Sequence, residues 1–187
     1  MKLKFVPLIA VLVLTGIAHP AEAQQTRTFF GVAKVNLPKG IHVRAYSDDF
    51  TKDAYVLSFS KDAVQGSNMW TSESPVMFIQ KKTLSKSEQR WSNTEWTKRM
   101  ENYYKSVLSD SKQFKRNSMT KDGRKGVFTV DYQSVMGDSR YRDFTKYIRA
   151  DKGTQVQAFF STSKPNTWNN SEPKALRKAV ESLRASK

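Results

Sequence analysis

The chain has 187 residues, no cysteine, two histidines, and 32 lysines and arginines against 17 aspartates and glutamates, a net charge of +15. Without cysteine there is no thiol nucleophile and no disulfide scaffold; the length suits one domain whose core needs no covalent staple. The positive balance points to anionic partners: nucleic acid, lipid head groups, envelope polymers or acidic protein surfaces.

The first element is a leader. Lys2 and Lys4 precede an apolar run over residues 5–18, and Ala21-Glu22-Ala23 has the small-x-small pattern of a cleavage site. The run is shorter than the roughly 20 residues of a bilayer span, and Pro7 interrupts it. The pattern predicts a signal peptide, 1–23, with cleavage marked by Ala21 and Ala23, and a single domain, 24–187, that is periplasmic or secreted. No Cys follows the run, so it offers no site for lipidation. Export removes nucleic acid from the expected partners, because little DNA or RNA is met outside the cytoplasm.

Residues 28–46 read as strands broken at Leu37-Pro38-Lys39-Gly40, with Ile41, Val43 and Ala45 alternating against His42, Arg44 and Tyr46. Tyr55, Leu57 and Phe59 repeat that alternation. Residues 75–80 are apolar on both faces, as in a central strand, and the polar stretch 81–90 reads as irregular. A helix is predicted over 93–109. Ser92 and Glu95 have the spacing of a capping box, and Trp91 and Trp96 that of a hydrophobic staple. Trp96, Met100, Tyr103, Tyr104, Val107 and Leu108 make its apolar stripe, and Glu95–Arg99 and Glu101–Lys105 are i,i+4 pairs.

Four strands follow. The first, 112–120, leads to an Asp122-Gly123 hairpin signal, where glycine tolerates positive φ. The second, 127–134, puts Phe128, Val130 and Tyr132 on one face. Gly137-Asp138 turns into the third, RYRDFTKYIR (140–149). Its aromatics divide between two faces and it lacks the glycines of RNA-binding strands, so it reads as a packing strand whose basic tips reach water. Residues 150–153 turn into the fourth, 154–162, with Val156, Ala158 and Phe160 on one face. A last helix takes Ser171 as cap and Pro173 in its first turn. Leu176, Ala179, Val180 and Leu183 form its stripe, and Lys174, Arg177, Lys178 and Arg184 face water. The sum is an α+β fold: an antiparallel sheet of about six or seven strands, with a C-terminal four-strand meander, flanked by helices.

This order over residues 91–183 resembles the PsbP-like fold. The marks are Gly123 in the hairpin, Tyr132 in the second strand of the meander, and Ser182-Leu183 near the end. The resemblance implies an α/β/α sandwich and a style of function. Thylakoid-lumen photosystem subunits, a nuclear-transport Ran-binding factor and bacterial envelope proteins of this fold mostly bind or scaffold. It supplies no site motif to place on numbered positions.

Catalysis finds little support. His42 is the one histidine after the leader, no G-x-S-x-G occurs, and a zinc site needs several His or Cys ligands. Asp48, Asp49 and Asp53 lack the spacing of a dedicated calcium loop and read as a turn. No catalytic residue, metal or cofactor is therefore expected. Binding candidates are the loop aromatic Trp70 and four cations of the dense basic segment 112–126: Lys115, Arg116, Arg124 and Lys125. The favoured reading of these cations is a solvated edge that discourages sheet-to-sheet aggregation, with docking on an anionic surface as the alternative. Trp168 reads as pinning its loop to the core. The expected function is an exported, non-catalytic accessory domain that recognises a protein or envelope component. Alternatives are an electrostatic binder touching an anionic membrane surface or polymer, and a hydrolase built on paired carboxylates. Nothing in the sequence sets the oligomeric state.

Overall fold

The computed structural model describes residues 24–47, 53–65, 74–109 and 113–186. The leader, the Asp48-Asp49 pair and Trp70 lie outside the described residues. The elements in chain order are β1 (Gln25–Phe29), β2 (Ala33–Leu37), β3 (His42–Tyr46), β4 (Ala54–Ser58), α1 (Lys61–Gln65), β5 (Val76–Thr83), α2 (Lys86–Gln89) and α3 (Asn93–Val107). There follow β6 (Phe114–Asp122), β7 (Val127–Met136), β8 (Ser139–Arg149), β9 (Thr154–Thr162), a 3-10 turn at Pro165–Thr167, α4 (Ser171–Glu181) and β10 (Arg184–Ala185).

Seven strands form one antiparallel sheet in the order β3-β4-β5-β9-β8-β7-β6, and β1-β2-β10 form a second, smaller one. The C-terminal meander is continuous from β6 to β9. Period-2 patterning decides what each face meets. On one face Leu57, Met77, Ile79, Phe144, Ile148, Val156, Ala158 and Phe160 pack against α4 and β2. On the other, Phe128, Val130 and Tyr147 meet Trp96 and Tyr104 of α3, while Val56, Val76 and Phe78 meet Ala63 and Val64 of α1. The result is an α+β sandwich with helices on both faces of the sheet.

The chain end is laced to the small sheet. Asn36 N donates to Ser182 Oγ at 2.8 Å, Arg184 Nη1 donates to Asn36 Oδ1 at 3.1 Å, and Leu183 is buried. Trp168 is likewise buried, and two guanidiniums lie over its ring, Arg142 at 3.9 Å and Arg177 at 4.4 Å from the centroid. Arg142 also grips Asp131 through two hydrogen bonds, of 3.2 and 2.9 Å.

Several local expectations are corrected. Residues 81–90 are not irregular: β5 runs on to Thr83, Leu84 is buried, and Ser85 and Glu88 form a full capping box for α2. Burial works against the Glu88 carboxylate, but its bonds from Lys82 and Ser85 outweigh it and hold the pKa at about 2. At α3 the box is half made. Ser92 Oγ accepts from Glu95 N at 3.1 Å, but the Glu95 carboxylate takes Arg99 instead. Tyr103, placed in the apolar stripe, is 60% exposed. On the edge strand β3, Ala45 is exposed while Tyr46 is half-buried against the α1 side, so its alternation is not clean. Asn170, not Ser171, caps α4, and Arg177 packs on Trp168 rather than reaching water. The positive φ of the β6–β7 turn belongs to Gly126 (+64°), not Gly123.

Candidate functional site

The last residue of β8 organises one end of the sandwich. Arg149, expected to reach water, is only 6% exposed. Its guanidinium donates to the carbonyl of Trp91, to that of Gln89 at 3.0 Å, and at 3.4 Å to those of Glu88 and Lys152. Its backbone N–H donates to Gly126 O at 2.8 Å. One side chain thus pins the α2–α3 junction and the β8–β9 turn, and its own backbone holds the β6–β7 turn.

That last turn, 123–126, lies on the amino end of α3. Asn93 Nδ2 donates to Arg124 O at 3.2 Å, and Thr94 Oγ1 donates to Gly123 O at 3.4 Å. Both glycines are needed for this approach. A Cβ at Gly123 would lie 3.2 Å from Thr94 Oγ1, and one at Gly126 would lie 3.0 Å from the Asn93 side chain and 3.1 Å from Arg149 Cβ. Asp122 completes the turn by accepting from the backbone N–H groups of Arg124 and Lys125, each at 3.1 Å. The Lys125 amide is the main cause of a lowered Asp122 pKa.

Between the three pinned loops lies a cleft of about 970 Å³. Its lining holds five basic side chains, Arg90, Arg124, Lys125, Arg149 and Lys152, against one acid, Asp151. Asp151 spends its carboxylate on the β8–β9 turn, accepting from Gly153 N at 2.7 Å. Ser92 and Asn93 bring the amino end of α3, its electropositive end, to the same wall. The arrangement can hold an anion; it offers no nucleophile with a base and no carboxylate pair.

Of the sequence-predicted residues, Arg124 and Lys125 are brought to this cleft, whereas Lys115 and Arg116 are not. They stand exposed on β6, the sheet's edge strand. A bulge interrupts that strand between Arg116 and Ser118, where Asn117 Nδ2 donates to Asp131 Oδ1 at 2.7 Å. A bulge on a basic edge is a device against sheet-to-sheet pairing. His42 is exposed on β3. Asp53 pairs with Lys81 at 3.1 Å and borders a second cavity that also holds a single acid. Among the described residues no group of three or more His, Cys, Asp or Glu is placed to hold a metal.

Sequence reasoning missed Arg90, Arg149 and Lys152. Arg90 and Lys152 carried a usable signal, each being a cation in a short connection beside a predicted element. Arg149 carried none, since its partners lie about 60 residues away.

No protein-family model matches the chain, and a search of curated proteins finds no match. Solved structures do match it in shape. The solution structure of cyanobacterial PsbP (CyanoP) from Synechocystis sp. PCC 6803 aligns with a TM-score of 0.55 at 12% identity, covering 90% of this chain and 96% of that one. The crystal structure of LpqN, described as involved in cell envelope biogenesis of Mycobacterium tuberculosis, aligns with a TM-score of 0.52 at 9% identity, covering 83% of each chain. At such identities the likeness is one of backbone architecture, and on that ground the chain has the PsbP-like fold.

Proposed function

We propose that this protein is an exported, non-catalytic accessory domain that recognises a protein or envelope component through the cleft at the Arg149 end. On this reading residues 1–23 are a cleaved leader and 24–187 fold as one unit. The observation that carries it is the cleft itself. Three loops from distant parts of the chain are pinned by one residue, the Arg149 guanidinium holding two and its backbone N–H the third, and each presents a cation to the same space. Among the described residues Arg90, Arg124 and Lys152 have no ion-pair partner, so their charge is available to a partner. The fold shared with LpqN, a protein of cell envelope biogenesis, supports an envelope role.

The test uses the protein recovered after export. Amino-terminal sequencing is expected to begin at Gln24, and a retained Met1 on a cytoplasmic protein overturns the export half. The immobilised protein is expected to retain a saturable component of envelope extract. Arg124→Glu with Lys125→Glu should abolish that retention, and Lys115→Glu with Arg116→Glu should preserve it. Retention insensitive to the first pair, or substrate turnover lost on changing one side chain, overturns the binding half.

A further inference from the structure

Resting on that reading of the cleft, we propose that its ligand is a phosphate group, held by Arg90, Arg124, Lys125 and Lys152 at the amino end of α3, with Arg149 positioning the loops. The first ground is an unbalanced buried charge. Among the described residues the Arg149 guanidinium bonds only to backbone carbonyls, no carboxylate pairs with it, and its Nε has no hydrogen-bond partner. A buried cation without a counter-charge is costly and leaves a positive field in the space that it lines. Two acids oppose an anion: Asp151 in the lining, whose carboxylate is bonded to Gly153 N, and Asp122 behind it, which pairs with Lys125 at 3.7 Å and accepts from the Arg124 and Lys125 amides.

The second ground is the donor set. Two guanidinium forks and two ammonium groups suit a doubly charged tetrahedral oxyanion better than a single carboxylate, since each fork can bind two oxygens. The 15-residue helix α3 brings its electropositive amino end to the same wall, with Glu95 N already capped by Ser92 Oγ. Glu95, the acid in its first turn, is neutralised by Arg99 at 3.0 Å.

The third ground is preorganisation. The tip carrying Arg124 and Lys125 is fixed on α3 by Asn93 and Thr94, with no room for a Cβ at Gly123 or Gly126 without displacing them. The volume of about 970 Å³ is at the upper end of small-ligand sites. The one aromatic of the lining, Trp91, carries Arg99 over a ring face at 4.3 Å from the centroid and packs against the α3 core, which leaves the cleft poor in stacking surface for a base. A phosphate on a lipid head group or on a soluble small molecule fits the chemistry; a nucleic-acid strand does not.

The test titrates the exported protein by calorimetry with inorganic phosphate and pyrophosphate. In parallel it sediments the protein with phosphatidylglycerol–phosphatidylcholine vesicles, and with phosphatidylcholine alone. Saturable one-to-one binding of the soluble anions, weakened at least about tenfold by Arg124→Gln with Lys152→Gln, assigns a soluble phosphate. Binding to the phosphatidylglycerol vesicles alone, weakened likewise, assigns a lipid head group. The control Lys115→Gln with Arg116→Gln removes equal charge outside the cleft and should change neither. Equal weakening by both pairs reduces the effect to net charge and overturns the proposal. So does absence of binding in both arms while the variants unfold at the wild-type temperature. If envelope capture persists without phosphate binding, the ligand class alone is wrong; if capture too ignores the cleft variants, the recognition surface is wrong.

Discussion

The two faces of the seven-stranded sheet are both closed by helices, yet by different chemistry. Against one face α4 seats Leu176, Ala179, Val180 and Leu183, with Phe160 and Trp168 at 5.4 Å between ring centroids. Against the other, α3 seats Trp96 and Tyr104 on Phe128, Val130, Tyr132 and Tyr147, and the Tyr104 and Tyr147 hydroxyls share a hydrogen bond. The polar groups on the α4 face include the Asp131–Arg142 pair, the two guanidiniums over Trp168, and Lys146, whose Nζ donates to Glu181 O. The α3 face instead carries phenol groups through its core. An aliphatic seam tolerates small sliding, whereas a paired phenol fixes distance and register. The α3 face is also the one whose helix opens onto the cleft, where that register decides whether Asn93 and Thr94 meet the β6–β7 turn.

The largest expected effects come from deleting either apolar seat. Phe128→Ala and Leu176→Ala, both fully buried, should cost about 3–5 and about 2–5 kcal/mol in denaturant unfolding. A loss below about 1 kcal/mol at either would mean that its face is not core. Next is Arg149→Met, which keeps the apolar stem but leaves the Trp91 and Gln89 carbonyls without their donor; we expect about 2–3 kcal/mol, with hydrogen exchange rising together in the α2–α3 junction and the β8–β9 turn, since the backbone N–H that holds Gly126 survives. Exchange confined to one loop would show that Arg149 does not unite them.

A smaller effect sharpens the contrast between faces. Tyr104→Phe orphans the buried Tyr147 hydroxyl and should cost about 1–3 kcal/mol, while the double change with Tyr147→Phe should recover most of it, because removing both partners leaves nothing unsatisfied. Additive losses would break the claim that the phenols act as a pair. The last prediction is a pH dependence. Burial pushes the Tyr147 phenol up to about 12 and raises Tyr104 and Tyr132 as well. The folded state then holds protons that the unfolded chain gives up near pH 10. Stability is full below about pH 10 and falls as pH rises toward 12, by about 1 kcal/mol per pH unit for each shifted tyrosine. The Tyr104→Phe/Tyr147→Phe protein should show a shallower alkaline slope, measured by urea midpoints from pH 8 to 11; an unchanged slope would place the titration elsewhere.

Much of this was legible in the chain. Strand phase at Phe128, Val130 and Tyr132, the stripe of α4, and the turns at Gly137-Asp138 and 150–153 follow from periods of 2 and 3.6 residues and from turn chemistry, all set within a few neighbours. The failures are instructive. Tyr103 lies on the side of α3 that period alone makes apolar, but the sheet beneath does not reach it, and period cannot say how wide a partner surface is. Glu95 matched the capping box, yet Arg99 competes for the same carboxylate at i,i+4, and spacing does not rank two local partners. Ser85-Lys86-Ser87-Glu88 carries the same signature inside a stretch whose polarity reads as irregular, and there both halves form.

The sequence by itself determined the apolar amino-terminal run, the cationic balance, the sheet-and-helix alternation and the hairpin tip bearing Arg124 and Lys125, because each depends on residues close together along the chain. Only the tertiary structure decided that Arg90, Lys152 and that tip surround one space. Their meeting rests on Arg149, whose guanidinium reaches the carbonyls of Trp91 and Gln89, 58 and 60 residues distant, and whose backbone N–H holds the tip at Gly126. Such a contact depends on the sheet setting β8 beside its neighbours, since a hydrogen bond reaches about 3 Å and carries no trace along the chain.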